Sequence, residues 1–481
     1  MSPQRSAADS DVAAVRLSQP AYAPVIPAEE MPDALGRLGA LLGWADAERG
    51  PMGALIPAGA RVTVKPNWVL HENQGPWGIE PLLTHASLVR AVVSAVLRTS
   101  AGSVLVGDAP VQGCDFGRLL ALTGLDSWSA GLERDDRRFM GIRDFRRTKS
   151  VFRNGVRQAV EDLIPLEQFV LFDLAEQSLL EPVSDGRASF RVTQYDPQQM
   201  ARTHSRGRHQ YLITRDVLDA DVIINLPKLK THKKAGVTCA LKNLIGINGN
   251  KEYLPHHRVG GSGSGGDCYP GASAVKRSLE FAYDRLNRSA SMFGRRSWSA
   301  AARLLHAMAA AAGDRYGVEG SWSGNDTIWR TCLDLNRILL YGRADGSLAP
   351  TPQRVVAHLV DAVIAGHGDG PLAPQPLPLG LLLGGSSGAA VDWVAALLLG
   401  YDPRRIPITR EAFAAFEWPL ASFGGDDVRL AGDLGSGSAE SVLRSGMAGL
   451  PIIYPEGWLD AVAATGAGGP VGVASGAPTE G

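Results

Sequence analysis

Five lysines and one histidine fall within fifteen residues of this chain: Lys228, Lys230, His232, Lys233, Lys234 and Lys242. Ammonium groups held close together repel one another, and a bound carboxylate or phosphate relieves that repulsion. The group is therefore a candidate anion site. Lys228, Lys233 and Lys242 are its candidate binding residues, and Lys230 and His232 are candidate proton carriers of a catalytic centre. Asn243, next to Lys242, is placed to hydrogen-bond a ligand hydroxyl or to cap a helix end before Gly246. A solvated basic loop is the competing reading. The apolar segments on both sides of the cluster count against it.

Two further strand ends carry chemistry. In Lys65-Pro66-Asn67-Trp68, proline removes a ladder donor and stops the strand, leaving Lys65 and Asn67 at the carboxyl edge of a sheet as candidate binding residues. In Gly107-Asp108-Ala109-Pro110, Asp108 is a third candidate for the catalytic centre, where it would orient the proton-carrying group or hold a metal, although an Asx turn also accounts for it. His256 and Asp369 join Asp108 as candidate ligands for a divalent metal, the one cofactor these residue types point to. Turn chemistry alone also accounts for Gly368-Asp369-Gly370-Pro371.

These residues need elements to position them. Arg61 to Leu70 reads as a strand with its exit loop and Ser103 to Pro110 as a strand ending in a turn, and Phe169 to Leu174, Val222 to Leu226 and Leu377 to Leu383 read as further strands. Helical spacing is predicted over Thr84–Thr99 (Thr84 as N-cap), Ala235–Gly246, Pro352–Ile364 and Ala389–Leu399. The helix from Ala235 would offer its free first-turn N–H groups to the same anion. Strand–helix alternation of this kind predicts an α/β fold, a mostly parallel sheet flanked by helices. The domain reading is a disordered lead over 1–30, an α/β core over 31–255 and 341–465, and a flexible tail over 466–481. Residues 256–340 form a glycine-rich loop and helical insertion, expected as a lid over the site rather than as a surface-binding amphipathic helix. Nine arginines and lysines between Gly131 and Arg157 read as a solvated face.

Composition narrows the function classes. With 48 basic and 49 acidic residues the net charge is −1, so no global field favours nucleic acid or an anionic membrane. The four cysteines (Cys114, Cys239, Cys268, Cys332) lack metal-ligand spacing, which argues against a zinc ribbon, an iron–sulfur cluster and a disulfide scaffold. Asp9 and Asp11 stand where a signal peptide needs its apolar run, and a cytoplasmic location is expected. No Walker A, G-x-S-x-G or H-E-x-x-H motif is present.

Taken together, these motifs resemble family 362 of the domains of unknown function, found in bacteria and archaea. The resemblance rests on Val64-Lys-Pro-Asn-Trp68, Gly107-Asp108, Asp221-Val-Ile-Ile-Asn-Leu-Pro-Lys-Leu-Lys-Thr-His232, Ala235-Gly-Val-Thr238 and Leu241-Lys-Asn-Leu-Ile-Gly246, and extends over roughly residues 60 to 405. It implies an α/β fold and no particular chemistry. Some relatives carry a ferredoxin-like module with clustered cysteines, which this chain lacks. The residues themselves lead to an enzyme acting on a small anionic metabolite, by isomerisation, ligation or group transfer. The alternative is a non-catalytic accessory protein that binds a metal or cofactor. The expected partner is a small anionic ligand, with neither nucleic acid nor membrane, and an oligomer is compatible with the sequence.

Overall fold

The computed structural model describes residues 10–153, 156–184, 189–192, 195–311, 313–314, 317–446, 450–463 and 472–473. Most of the tail expected over 466–481 lies outside these residues. Short apolar runs separated by turn residues fold into the strands of an 11-stranded sheet. In chain order they are β1 (Asp11–Arg16), β2 (Arg61–Pro66), β3 (Ser103–Asp108), β4 (Phe139–Asp144), β5 (Val222–Leu226), β6 (Lys228–His232), β7 (Gly236–Thr238), β8 (Val355–Asp369), β9 (Ala373–Gly385), β10 (Arg429–Gly432) and β11 (Gly437–Ser438). The spatial order is β11-β10-β1-β9-β8-β5-β2-β3-β4, with β6 beside β8 and β7 beside β6.

Strands β8, β5, β2, β3 and β4 run parallel, so their carboxyl ends share one edge. Helices cover both faces, as parallel sheets require. They are α1 (Glu30–Leu41), α2 (Ala86–Leu97), α3 (Phe116–Thr123), α4 (Leu125–Asp135), the short α5 (Ala240–Asn243), α6 (Ala274–Arg288), α7 (Met292–Ala311), α8 (Ile328–Tyr341) and α9 (Gly388–Leu398). Leu88, Val89, Val92, Val93 and Val96 of α2 are buried against the sheet, each contributing roughly 1.5–3 kcal/mol. The mixed α/β class and the mostly parallel sheet agree with the sequence reading.

Four local expectations fail for identifiable reasons. Asp11–Arg16, inside the supposedly disordered lead, pairs with both β9 and β10. Its run Val-Ala-Ala-Val is buried on both faces, so it shows no alternation to mark it as a strand. Pro352–Ile364 is not a helix: from Val355 it is the first part of β8, a strand buried along most of its length. A strand buried on both faces reads as a continuous apolar run, and periodicity cannot separate it from a buried helix.

Ala235–Gly246 is not one helix either. Gly236 has φ +78°, and the segment divides into β7, the four-residue α5 and a 3-10 turn. A helix of one turn supplies no anion-binding N-terminus. Finally, His85 rather than Thr84 caps α2. The Thr84 hydroxyl accepts from Asn67 N–H at 2.8 Å and donates to the Leu226 carbonyl at 2.6 Å, joining the ends of β2 and β5.

The face between Gly131 and Arg157 is likewise not all solvated. Arg146 is buried, and its guanidinium is paired with Asp144 at 2.6 Å. No helix among the described residues is long and apolar enough to cross a membrane.

Candidate functional site

Pro227 interrupts one long edge-to-edge path along β8. Before it, β5 pairs with Val355–His358; after it, β6 places Lys228 opposite Asp361 and Lys230 opposite Gly366. Side chains alternate along a strand, so Lys228, Lys230 and His232 share one face of β6 while Leu229 and Thr231 take the other. All of β6 is buried. Burial is the cost that each charge on this face has to meet.

Lys228 meets it with a carboxylate. Its ammonium lies 2.8 Å from Asp361, with both side chains fully buried, and donates to the Tyr22 hydroxyl at 2.7 Å. Tyr22 in turn donates to Asp361 at 2.6 Å. Lys65 has the same solution: 2.7 Å from Asp108, it also donates to Asn243 Oδ1 at 3.3 Å. Asp108 further accepts from Trp68 N–H and Ala109 N–H. Gly246 crosses directly above this pair, where a Cβ would come within 2.1 Å of Asp108 Oδ1 and 2.8 Å of Lys65 Nζ.

Asn243 ties the strand ends together. Its oxygen accepts from Asn67 at 2.8 Å, and its amide donates to Asn225 at 2.7 Å. Asn67 Oδ1 is buried with no hydrogen-bond partner among the described residues.

The remaining lysines have no such compensation. Lys230 donates to the Leu82 carbonyl at 2.6 Å and has no carboxylate partner among the described residues. Burial, reinforced by Lys228 and Lys242, pushes its pKa well below the ordinary lysine value. Lys242 is 7% exposed, with no hydrogen-bond or ion-pair partner among the described residues, and burial lowers its pKa as well. Lys251, which sequence reasoning missed, donates to the Ala109 carbonyl at 2.8 Å. Burial pulls its pKa down to about 7, opposed by Asp108 and reinforced by Lys65 and Lys242. Five buried lysine side chains, Lys65, Lys228, Lys230, Lys242 and Lys251, thus share two carboxylates, Asp108 and Asp361. The centre holds more buried amines than carboxylates to pair them.

Two histidines border that surplus in opposite tautomers. His232 Nδ1 accepts from the backbone N–H groups of Lys234 and Ala235 at 3.0 and 3.2 Å, so the ring carries its proton on Nε2. His256 Nδ1 lies 2.6 Å from the Leu254 carbonyl, which can only accept, so its Nε2 holds a lone pair. Each ring lies close enough to Lys242 and Lys234 to feel their charge, and burial holds both pKa values well below the ordinary histidine value. The arrangement offers one N–H donor and one imidazole acceptor.

Other candidates fall elsewhere. Lys233 is partly exposed and pairs with Asp369 at 3.5 Å. The three metal candidates Asp108, His256 and Asp369 are not brought together: no group of three or more His, Cys, Asp or Glu side chains able to hold a metal occurs among the described residues. Asp108 is engaged by Lys65 and Asp369 by Lys233 instead. Tyr22 and Asp361 were also missed. Tyr22 lay in the supposed disordered lead, and Asp361 in a supposed helix. Wide grooves exist away from this cluster, one of about 1000 Å³ lined by Glu181, Trp329, Arg330 and Arg337 among others, and neither it nor a second groove beside His85 includes a member of the lysine group. Charge rather than volume singles out the site.

Residues 171–397 match the family model described as Domain of unknown function (DUF362). That segment, a little under half of the chain, is similar to a DUF362 domain. It contains β5 to β9 and therefore Lys228, Lys230, His232, Lys242, Asn243, Lys251, His256 and Asp361, while Lys65, Asn67 and Asp108 precede it. The DUF362 segment thus supplies the charge surplus, and β2 and β3 add a carboxylate and two polar side chains. A solved protein from Thermotoga maritima aligns at 11% identity with a TM-score of 0.30, covering 77% of this chain. This chain spans 59% of that protein's length. No curated protein matches.

Proposed function

We propose that the protein is an enzyme acting on a small carboxylated or phosphorylated metabolite at the edge formed by β2, β3, β5 and β6. The surplus of buried cations carries this reading. Lys230 and Lys242 are buried without a carboxylate partner among the described residues, an arrangement that costs free energy in the empty protein and is relieved when an anion enters. Perturbed lysine and histidine pKa values clustered in one place are characteristic of functional sites.

In this reading Lys230, Lys242 and Lys251 hold the anionic group. Asn67 Oδ1, an acceptor without a partner, takes a ligand hydroxyl. His232 donates from Nε2 to an oxygen that gains charge, and His256 accepts a proton at Nε2. A donor and an acceptor flanking one anion subsite favour proton transfer, as in an isomerisation, over ligation. The low pKa of both rings keeps them neutral at neutral pH, the state in which one can donate and the other accept.

The test is thermal unfolding and calorimetric titration with inorganic phosphate, citrate and oxalate as probes, on wild type and on Lys242→Met. The expected result is stabilisation of the wild type by at least one probe and its loss in the variant, with the ligand-free variant unfolding no earlier. Equal responses in both proteins, or none in either, would remove the proposal. Turnover is then sought by following solvent deuterium incorporation into carboxylated and phosphorylated metabolite pools.

A further inference from the structure

Helices α6 and α7 form a hairpin whose inner side is packed and whose outer side is not. The inner side has its own small core of Leu279, Ala282 and Ala302 with Cys268, Tyr269 and Val318. Polar contacts fasten it: Asp284 pairs with Arg191 at 3.1 Å, and Glu280 accepts from Gly260 N–H at 2.8 Å.

The outer side has an unusual combination of features. Thirteen large apolar side chains of the described chain are exposed, and five of them fall within these two helices: Phe281, Met292, Phe293, Leu304 and Met308. Phe293 is 83% and Leu304 64% exposed. Along α7 the exposed positions Phe293, Ser297, Ala300, Leu304 and Met308 recur at helical spacing, which draws one apolar stripe along the helix. The charges flanking the stripe have one sign. Every exposed, formally charged side chain of the hairpin is an arginine, namely Arg277, Arg285, Arg288, Arg296 and Arg303. The two acids, Glu280 and Asp284, face inward, and α7 contains none. The whole chain has a net charge of −1, so this concentration is local.

We propose that the outer face of the α6–α7 hairpin docks on an anionic phospholipid surface, with the stripe from Phe293 to Met308 entering the interface and the arginines pairing with lipid phosphates. A helix with an apolar stripe, arginine flanks and low mean hydropathy lies in a membrane interface rather than spanning it. Charge complementarity selects the occupant. An acidic protein groove would also accept arginines, but an apolar stripe open along about four turns matches a fluid surface more closely than a shaped pocket. The loop from His256 to Gly271 joins this hairpin to the candidate site, so docking would set the site beside the bilayer.

Co-sedimentation of the full chain with vesicles tests the assignment. Binding is expected to phosphatidylserine-containing vesicles, to be weak with phosphatidylcholine alone, and to fall as salt is added. Leu304→Glu combined with Phe293→Glu is expected to weaken binding by about tenfold or more, as is Arg296→Glu with Arg303→Glu, while circular dichroism and thermal unfolding stay at wild-type values because all four positions are exposed. The proposal fails if wild type does not sediment with the anionic vesicles, or if these variants bind them as wild type does. It also fails if the same apolar substitutions instead dissolve a dimer detected by sedimentation velocity, which would assign the face to a second copy of this chain.

Discussion

Asp361 sits 2.8 Å from Lys228, both fully buried, whereas Lys230, two residues along the same face of β6, donates to the Leu82 carbonyl and has no carboxylate partner among the described residues. One strand therefore holds a compensated lysine beside an uncompensated one. The two should respond oppositely to loss of charge.

Asp361→Asn leaves Lys228 charged and buried. Removing one partner of a buried pair costs roughly 3–5 kcal/mol, and the loss should appear as a lowered midpoint in denaturant unfolding. A midpoint within error of wild type would mean that the pair is not formed.

Lys230→Met removes a charge that the empty protein has no use for. Ligand-free stability is expected to stay equal to wild type or to rise by about 1–2 kcal/mol, with loss of phosphate or carboxylate binding. The sign of the pH dependence follows from the lowered pKa. Because the folded value lies below the unfolded one, the unfolded chain binds more protons between them, and stability rises with pH through that window. The variant should lose that rise in denaturant unfolding measured across alkaline pH.

Burial pulls the Lys251 pKa down to about 7. An anion binds the ammonium form, so affinity for oxalate, whose own charge is constant in this range, should fall as pH rises through that value. Binding near neutral pH should take up a proton. Calorimetry in buffers of different ionisation enthalpy measures the uptake, which should vanish in Lys251→Met.

His232→Asn separates the fold from the donor. An asparagine oxygen can still accept from the backbone N–H two residues on, so the turn at Lys234 and thermal unfolding should be nearly preserved. The Nε2–H group is lost, and binding of the anionic probe should fall. Normal binding by this variant would place His232 outside the site.

Gly246→Ala tests the crossing above Lys65 and Asp108. The added methyl would stand 2.1 Å from Asp108 Oδ1, a contact that only movement of the loop or the pair can relieve. Destabilisation of roughly 1–3 kcal/mol is expected by chemical denaturation, together with weakened anion binding.

Much of this site was legible in the chain itself. Strand ends with Lys65 and Asn67, with Asp108, and with Lys228 through His232 are local patterns, and a parallel α/β sheet brings such ends to one edge. The mostly parallel architecture followed from alternation of apolar runs and helical spacing, again a local property. Lys251 carried no comparable signal, since it stands alone in a polar turn.

What only the tertiary structure decided is which charges are neutralised. Tyr22 and Asp361 reach Lys228 from segments 206 residues before it and more than a hundred after it, in elements that local patterns misread. A carboxylate's residue type does not record its nearest cation, and it is the fold that sets Asp108 beside Lys65 and Asp369 beside Lys233. The tautomers of His232 and His256 depend on backbone groups that only the folded turns bring within hydrogen-bonding distance. Residue type and spacing determined that cations gather at a strand end. Long-range pairing decided that, among the described residues, Lys230 and Lys242 are left without a carboxylate, because burial makes each charge depend on whatever the rest of the fold places beside it.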